Sequence, residues 1–388
     1  MKSAIPLSVV GGPAPQRWAE IDLDAIGHNV RALLARLPVG CHLIGVVKAD
    51  GYGHGARPVA EAALGAGAWG LGVSTPEEAL ELRDLCAPER LLVMGGLAPA
   101  GCAAAAAVGC AVMCSSGEMV DILERATPAG PRLPVHLKVD TGMGRLGCAP
   151  DEAPSLAGRI ARSRRLRLAG TMTHFASSEC DPEFTRLQFQ RFVAVLRRFD
   201  VDPGIRHASN SGAVLNHPDM ALDAVRPGLA MYGFVGDGLR PALALRALVT
   251  RVQDVGRGQT VGYGRGWVAE RPSRIATVAI GYEDGVLRSR GNRGEVVVRG
   301  RRAPLAGRVS MDAIAVDVTA VPGVQPGDVV TLIGEGITAD EVAEWSGTIS
   351  HEVLTSLGNR VARKYLGARP RTPAGEYRSP GAEFNPPG

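Results

Sequence analysis

The 388-residue sequence predicts an α/β fold in which an N-terminal (β/α)8 barrel of the TIM type is followed by a mainly β C-terminal domain. The barrel is predicted because eight short apolar runs alternate with segments of helical period over roughly 200 residues. The second domain is predicted because β-branched and polar residues alternate from about residue 245 onward. We expect residues 1–15 to be a flexible lead-in, 16–244 the barrel, 245–371 the β domain and 372–388 a disordered tail.

The first predicted element is a short strand at Trp18–Ile21, which is surplus to the barrel and is expected to join the second domain. A helix comes next, with one apolar face formed by Ile26, Val30, Leu33, Leu34 and Leu37. The eight barrel strands are then predicted at 42–47, 69–73, 91–94, 110–114, 135–139, 166–172, 205–208 and 224–225.

The clearest barrel helix begins after Thr75, which is the predicted N-cap, with Pro76 in the first turn and Glu78 closing a capping box. In the second domain, strands are predicted at 248–255, 275–280, 295–298, 313–318 and 329–333. Short helices are predicted at Ala339–Trp345 and from His351.

Composition excludes several functional classes. The net charge is only +4, and no Lys/Arg block is interleaved with aromatic residues, so no nucleic-acid partner is expected. No apolar stretch approaches the roughly 20 residues of a membrane span and no signal-peptide pattern is present, which favours a cytoplasmic protein without a membrane partner. The seven cysteines form no CxxC pair, which favours reduced thiols over a disulfide framework or a metal site.

Lys48 is the candidate nucleophile. Basic residues are overwhelmingly arginine, and Lys48 stands where an apolar run ends and a glycine-rich turn begins. An ammonium can lose its proton and form an imine, whereas a guanidinium effectively cannot. The alternative is that this lysine merely ends a strand.

Polar residues come directly after several predicted strands, at the edge where parallel strands of a barrel place functional groups. They include Lys48, Asp140–Arg145, His174, Ser209–Ser211 and Arg226–Gly228. A lysine imine requires a carbonyl partner, and pyridoxal phosphate is the commonest one supplied as a cofactor. The turn at 210–212 and the region of Gly228 offer donors for its phosphate, and Arg145 suits a substrate carboxylate.

From about Arg17 to Leu366 the chain resembles the alanine racemases, pyridoxal-phosphate enzymes built from a barrel and a β domain. The matching segments are WAEIDLD (18–24), VKADGYGHG (47–55), KVDTGMGR (138–145), THFA (173–176), NS (210–211), VRPG (225–228), MYG (231–233), VGYGR (261–265), IGYEDG (280–285) and RVSMD (308–312). Each segment is a weak signal alone, but chance does not account for their order and spacing.

The resemblance implies interconversion of L-alanine and D-alanine by two bases on opposite faces of the substrate, since the proton leaves one face and returns on the other. Lys48 would act on the D-enantiomer and Tyr263 on the L-enantiomer. Because an ordinary tyrosine has a pKa of about 10, positive charge near the phenol is expected to stabilise its anion.

The resemblance also implies the remaining site residues. Arg226 would lie on the pyridine nitrogen with His174 beside it, and the phosphate ligands would be Tyr52, Ser211, Gly228 and Leu229. Arg145 would bind the substrate, together with Tyr282, Met311 and Asp312 from the second domain. A head-to-tail homodimer with composite sites is implied, and Lys138 is either carbamylated or paired with Asp140.

Departures from the family pattern occur at Gly266, Glu283, Ser310, Ala313 and Asn359, the last standing where some members carry a phosphate-binding tyrosine. They leave substrate breadth open. The alternatives are a racemase of serine or bulkier amino acids, a barrel-type decarboxylase and a non-enzymatic cofactor-binding protein. The decarboxylase is disfavoured because it would place a carboxylate, not Arg226, on the pyridine nitrogen.

Overall fold

The computed structural model describes residues 15–367 and confirms the predicted α/β fold, with a closed eight-stranded parallel barrel and a mainly β second domain. The lead-in predicted for residues 1–15 lies outside the described residues except for Pro15, and the tail predicted for 372–388 lies wholly outside them.

The barrel strands are almost entirely buried, as expected when helices cover the outer face of a parallel barrel. The last strand pairs with the first through His42↔Ala224 and Leu43↔Val225, which closes the barrel. In chain order the strands are β2 (His42–Val46), β3 (Gly70–Val73), β4 (Leu91–Val93), β5 (Ala111–Cys114), β6 (Leu133–Lys138), β7 (Leu166–Met172), β8 (Ile205–His207) and β9 (Ala224–Val225).

The helices of the barrel region come after these strands, apart from the first, which precedes them. They are α1 (Leu23–Leu34), α2 (Lys48–Tyr52), α3 (Ala56–Gly65), α4 (Pro76–Leu82), α5 (Pro99–Val108), α6 (Gly117–Ala126), α7 (Ala153–Arg162), α8 (Pro182–Leu196) and α9 (Ser211–Asn216). The capping box predicted at Thr75 and Glu78 is confirmed. Leu37 is predicted on the apolar face of α1, but the helix ends at Leu34, so that part of the prediction is wrong.

The second domain is built on an eight-stranded sheet. Its strands are β1 (Arg17–Asp22), β10 (Leu243–Val255), β13 (Ser273–Val278), β14 (Glu295–Val298), β15 (Arg301–Pro304), β16 (Ile314–Asp317), β17 (Val329–Ile333) and β18 (Ala362–Leu366), with a separate pair β11 (Thr260–Val261) and β12 (Trp267–Val268). The strand order is β15-β14-β17-β10-β1-β18, and β13 pairs with β10 and with β16. The strand β1 precedes the barrel in sequence but belongs to this sheet, where it pairs antiparallel with β10 and parallel with β18.

Two helices complete this domain, α10 (Ala339–Ser346) and α11 (Ser350–Thr355), close to the two that the sequence predicts. Sequence reasoning missed four strands, β11, β12, β15 and β18. The first two are only two residues long, and in the other two charged residues interrupt the apolar alternation. Within residues 15–367, no helix is long and apolar enough to cross a membrane. All seven cysteines are free thiols.

Candidate active site

A cavity of about 470 Å³ opens at the carboxyl ends of the barrel strands. Its volume falls in the range typical of small-molecule sites. Nine residues predicted for the site line it together, namely Lys48, Tyr52, Lys138, Arg145, His174, Ser211, Arg226, Gly228 and Leu229. The barrel therefore brings together side chains that are up to about 180 residues apart in sequence.

Lys48 begins the short element α2, which is a turn of left-handed backbone and not a right-handed α-helix. Ala49, Asp50 and Tyr52 all have φ near +50°, a region that costs non-glycine residues about 1–2 kcal/mol each. Glu78 holds the turn, since its carboxylate accepts from the backbone N–H of Ala49 at 2.7 Å and from that of Ser74 at 2.6 Å. Strained backbone of this kind is concentrated at functional sites, where the surrounding structure fixes it.

The environment of Lys48 favours its neutral amine. Burial lowers the pKa of the Lys48 ammonium, and the positive charge of Arg145 lowers it further, against a smaller opposing effect of Glu78. Burial also raises the pKa of Tyr52 to about 12, so its hydroxyl stays protonated as a hydrogen-bond donor. The turn thus presents a reactive amine and a neutral phenol to the same cavity.

Arg226 is only 3% exposed and is held by acceptors from neighbouring strands. Its Nη1 donates to Nδ1 of His207 at 2.7 Å, and its Nη2 donates to the carbonyls of Thr173 and Ala208 and, at 3.3 Å, to Nδ1 of His174. Because a guanidinium only donates, both histidines accept through Nδ1 and carry their proton on Nε2.

Both histidines are neutral. Burial and the charge of Arg226 hold the pKa of His174 and of His207 well below the ordinary histidine value. Within residues 15–367, no carboxylate pairs with Arg226, so a group placed against it meets a cationic donor that does not give up its proton.

Ser211 and Gly228 shape the anion-binding end of the cavity. The hydroxyl oxygen of Ser211 accepts from the backbone N–H groups of Gly228 and Ala230. A Cβ atom at position 228 would lie 2.5 Å from the Tyr52 hydroxyl, so only glycine lets that hydroxyl approach the backbone. The Tyr52 hydroxyl makes no hydrogen bond to any of residues 15–367. The hydroxyl protons of Tyr52 and Ser211 are thus available to a phosphate, and with Lys48 and Arg226 these groups fit pyridoxal phosphate.

Lys138 and Arg145 add positive charge to the cavity, and the side chain of neither forms a hydrogen bond or ion pair within residues 15–367. The alternative ion pair between Lys138 and Asp140 is absent over 15–367, because Asp140 instead accepts from the backbone N–H groups of residues 142–144. Burial and the charges of Arg226 and Arg145 lower the pKa of Lys138 to about 8. Glu179 is the single carboxylate among the lining residues, so the cavity favours anions.

Four predicted site residues, Tyr263, Tyr282, Met311 and Asp312, do not line this cavity within the described chain. The first three are 71%, 41% and 50% exposed. Backbone hydrogen bonds join the Tyr282 turn to the loop of Met311, and Asp312 pairs with Arg360. All four are exposed on the β domain.

Glu179, Ile349 and His351 are among the lining residues that sequence reasoning did not place in the site. His351 is predicted only as a helix start, yet its ring lies 5.9 Å from that of Tyr52. Asn359 is exposed and does not line the cavity, so the β-domain side chains that reach it come from the start of α11 instead. No local sequence pattern marks these three residues as part of the site. Ile349 and His351 reach the cavity because α11 docks on the Lys48 turn, and Glu179 reaches it because of the path of the loop between β7 and α8.

Comparison with known proteins gives consistent matches. Residues 21–235 match the family model described as "Alanine racemase, N-terminal domain", and residues 242–365 match "Alanine racemase, C-terminal domain". The alanine racemase of Desulfosudis oleivorans is 40% identical over 374 residues, which covers 90% of this chain and 96% of that protein.

Solved structures match over the whole fold. The alanine racemase of Streptomyces lavendulae, which produces D-cycloserine, superposes with a TM-score of 0.86 at 38% identity, covering 92% of this chain and 98% of that one. The Bartonella henselae alanine racemase, solved with covalently bound pyridoxal phosphate, has a TM-score of 0.83 at 31% identity, covering 91% of this chain and 100% of that one.

Proposed function

We propose that this chain, which belongs to the alanine racemase family, interconverts L-alanine and D-alanine on pyridoxal phosphate with Lys48 and Tyr263 as its two bases. Membership of the family makes it a pyridoxal-phosphate-dependent isomerase of amino acids. The assignment of individual residues to steps is the proposal.

One observation carries it: a lysine with a lowered pKa faces a cation-lined cavity that also contains a buried arginine without a carboxylate partner. Pyridoxal phosphate would be held covalently by the amine of Lys48, its ring nitrogen would face Arg226, and its phosphate would be held by Tyr52, Ser211 and the Gly228–Leu229 backbone. When bound, pyridoxal phosphate supplies a conjugated electron sink that acidifies the α-proton of an amino acid.

The protein residues then divide the work. Arg145 binds the substrate carboxylate, because its guanidinium has no other partner within residues 15–367. Lys48 takes or returns the proton on one face, and its lowered pKa makes the neutral amine available for this step. Arg226 keeps its proton, so the ring nitrogen of the cofactor would stay unprotonated. The ring would then be a weaker electron sink than one paired with a carboxylate, which would restrain side reactions such as transamination.

The second base comes from another copy of the chain. Tyr263, with Tyr282, Met311 and Asp312, is exposed on the β domain and outside the Lys48 cavity. A head-to-tail homodimer would seat this group over the barrel mouth of the partner and form two composite sites, as a symmetric pair of interfaces requires.

Lys138 is the proposed site of carbamylation. Its pKa of about 8 leaves a substantial fraction of neutral amine near physiological pH, and this amine reacts with CO₂ to give a carbamate and one proton. The negative charge of the carbamate would lie among Arg145, Arg226 and Lys48. The positive charges of these three residues disfavour the ammonium form of Lys138 and would stabilise the carbamate. It would orient Arg145 for the substrate. We also propose a cytoplasmic location, which fits the seven free thiols.

The test combines covalent trapping with a chiral assay. Borohydride reduction of the purified protein should fix the cofactor on the peptide that contains Lys48, and L-alanine should be converted to an equal mixture of enantiomers. Attachment to another lysine would contradict the assignment of Lys48. A panel of L-amino acids that includes serine separates an alanine racemase from one of broader substrate range.

A further inference from the structure

A chain of hydrogen bonds runs from Arg226 through the barrel interior, away from the site. Arg226 donates to Nδ1 of His207 at 2.7 Å, and Nε2 of His207 lies 2.7 Å from Nδ1 of His136. The two rings are 4.9 Å apart and nearly perpendicular. His136 is on β6, two residues before Lys138, and only 1% exposed.

The direction of this chain is set by its first member. Arg226 only donates, so Nδ1 of His207 accepts and its Nε2 carries the proton, which is donated to Nδ1 of His136. His136 must then carry its own proton on Nε2. Burial and the charges of Arg226 and Arg167 lower the pKa of His136 to about 3, so the ring is neutral.

His136, the last member of this series of hydrogen bonds, lies at a second cavity of about 530 Å³ at the amino-terminal end of the barrel strands. His136 lines it together with residues that include His42, Trp69 and Asp223. The Nε2 atom of His136 is buried and has no hydrogen-bond partner among residues 15–367. A buried polar atom without a partner is rare in folded proteins, because it costs free energy of folding. The hydrogen bond at Nδ1 is the interaction of this ring that can offset the cost.

The backbone is built around the His136 ring. A Cβ atom at Gly170 would lie 2.4 Å from Nδ1 of His136, so only glycine leaves room for the imidazole. The pairing of β6 with β7 shifts register between Val135 and His136, which leaves Ala169 unpaired. Bulges of this kind are concentrated next to active sites, where they re-aim a side chain.

We propose that His136 is a positioning residue for Arg226, acting through His207: its Nδ1 accepts from Nε2–H of His207 and so holds that ring where its own Nδ1 accepts from the guanidinium at the barrel mouth. Without an acceptor at this point, the buried N–H of His207 is left unpaired, which costs free energy that a turn of the ring toward another acceptor would recover. A turned ring no longer presents Nδ1 to the Nη1 group of Arg226, so the guanidinium loses this acceptor and shifts. The inference rests on the proposed function only for the consequence of this shift for catalysis.

The first measurement does not depend on activity. Long-range ¹H–¹⁵N spectra of the full-length protein with labelled histidine should show His207 and His136 neutral at neutral pH, each with its proton on Nε2. The signals are assigned by their loss in His136→Asn and His207→Asn. A proton on Nδ1 of either ring, or a charged ring, would overturn the proposal even if the enzyme is an alanine racemase.

The second measurement compares His136→Asn, whose amide oxygen can accept at the position of Nδ1, with His136→Leu, which cannot. We expect kcat for L-alanine to fall on the order of tenfold in the leucine variant with little change in KM, and to be largely retained in the asparagine variant. His42→Asn and His42→Leu are matched controls, because His42 lines the same cavity outside the chain of hydrogen bonds. An equal loss of kcat in both His136 variants, or no loss in His136→Leu, would refute the positioning role. If His136→Leu does not fold, a lowered kcat in folded His136→Asn would refute it instead.

Discussion

The two parts of the proposed site differ in how the chain holds them. On the barrel, Arg226, His174 and Ser211 are packed among strands and tied by hydrogen bonds within one chain. On the β domain, Tyr263 and Tyr282 are exposed. A single chain therefore preorganises the cofactor half of the site. It leaves the other half, with Tyr263 and Tyr282, exposed to solvent, and we expect a second copy of the chain to bury it.

The largest effect is expected on the barrel half. Lys48→Ala removes both the imine-forming amine and one base, so racemisation should fall by at least about 10⁴-fold. The measurement is a chiral assay in both directions with the absorbance spectrum of the purified protein. Lys364→Ala, a lysine on the edge strand β18, is the control. Retention of the imine band in Lys48→Ala would place the covalent link elsewhere.

On the exposed half, Tyr263→Phe should reduce L-to-D turnover by on the order of 10²–10⁴-fold while the bound cofactor is retained, because the phenol is a base and not a cofactor ligand. Thermal stability should be nearly unchanged, because the substitution keeps the aromatic ring and removes only its hydroxyl group. Cofactor content and the chiral assay measure the two effects. A parallel loss of cofactor would indicate that Tyr263 has a structural role.

Glu78→Gln tests how firmly the Lys48 turn is held. The carboxylate accepts from the backbone N–H groups of Ala49 and Ser74, and an amide cannot accept both through oxygen. We expect a loss of about 2 kcal/mol in the free energy of unfolding. Chemical denaturation measures it, with Glu77→Gln as the exposed neighbouring control. Equal stabilities of the two variants would show that the turn does not depend on Glu78.

The smallest effect concerns pH. The folded-state pKa of Lys138 is lowered to about 8 from the ordinary 10.5, so between these values the folded protein binds fewer protons than the unfolded chain and its stability rises with pH. Lys138→Met should flatten this rise by about 1 kcal/mol, given screening by water at the cavity mouth. Denaturation of apoprotein in CO₂-free buffer across this pH range provides the comparison; parallel curves for the two proteins would contradict the lowered pKa.

Much of the barrel half could be predicted from sequence because two local signals suffice. Apolar runs locate the strands, and the parallel barrel gathers the residues just past each strand at one mouth, which brings Lys48, His174 and Arg226 together. His351 and Glu179 could not be found in this way, because their approach depends on the docking of α11 and on loop paths. The left-handed backbone of Ala49 and Asp50 was also not predicted, since these residues ordinarily avoid it.

The central claim is that Lys48 of one chain works with Tyr263 of another. The most direct test is to mix differently tagged Lys48→Ala and Tyr263→Phe chains, each inactive alone, and to purify the mixed dimer. If the site is composite, one of its two sites contains both native bases, so about half of the wild-type activity should return. If both bases belong to one chain, no site in the mixed dimer is complete, and an inactive mixed dimer would contradict the account.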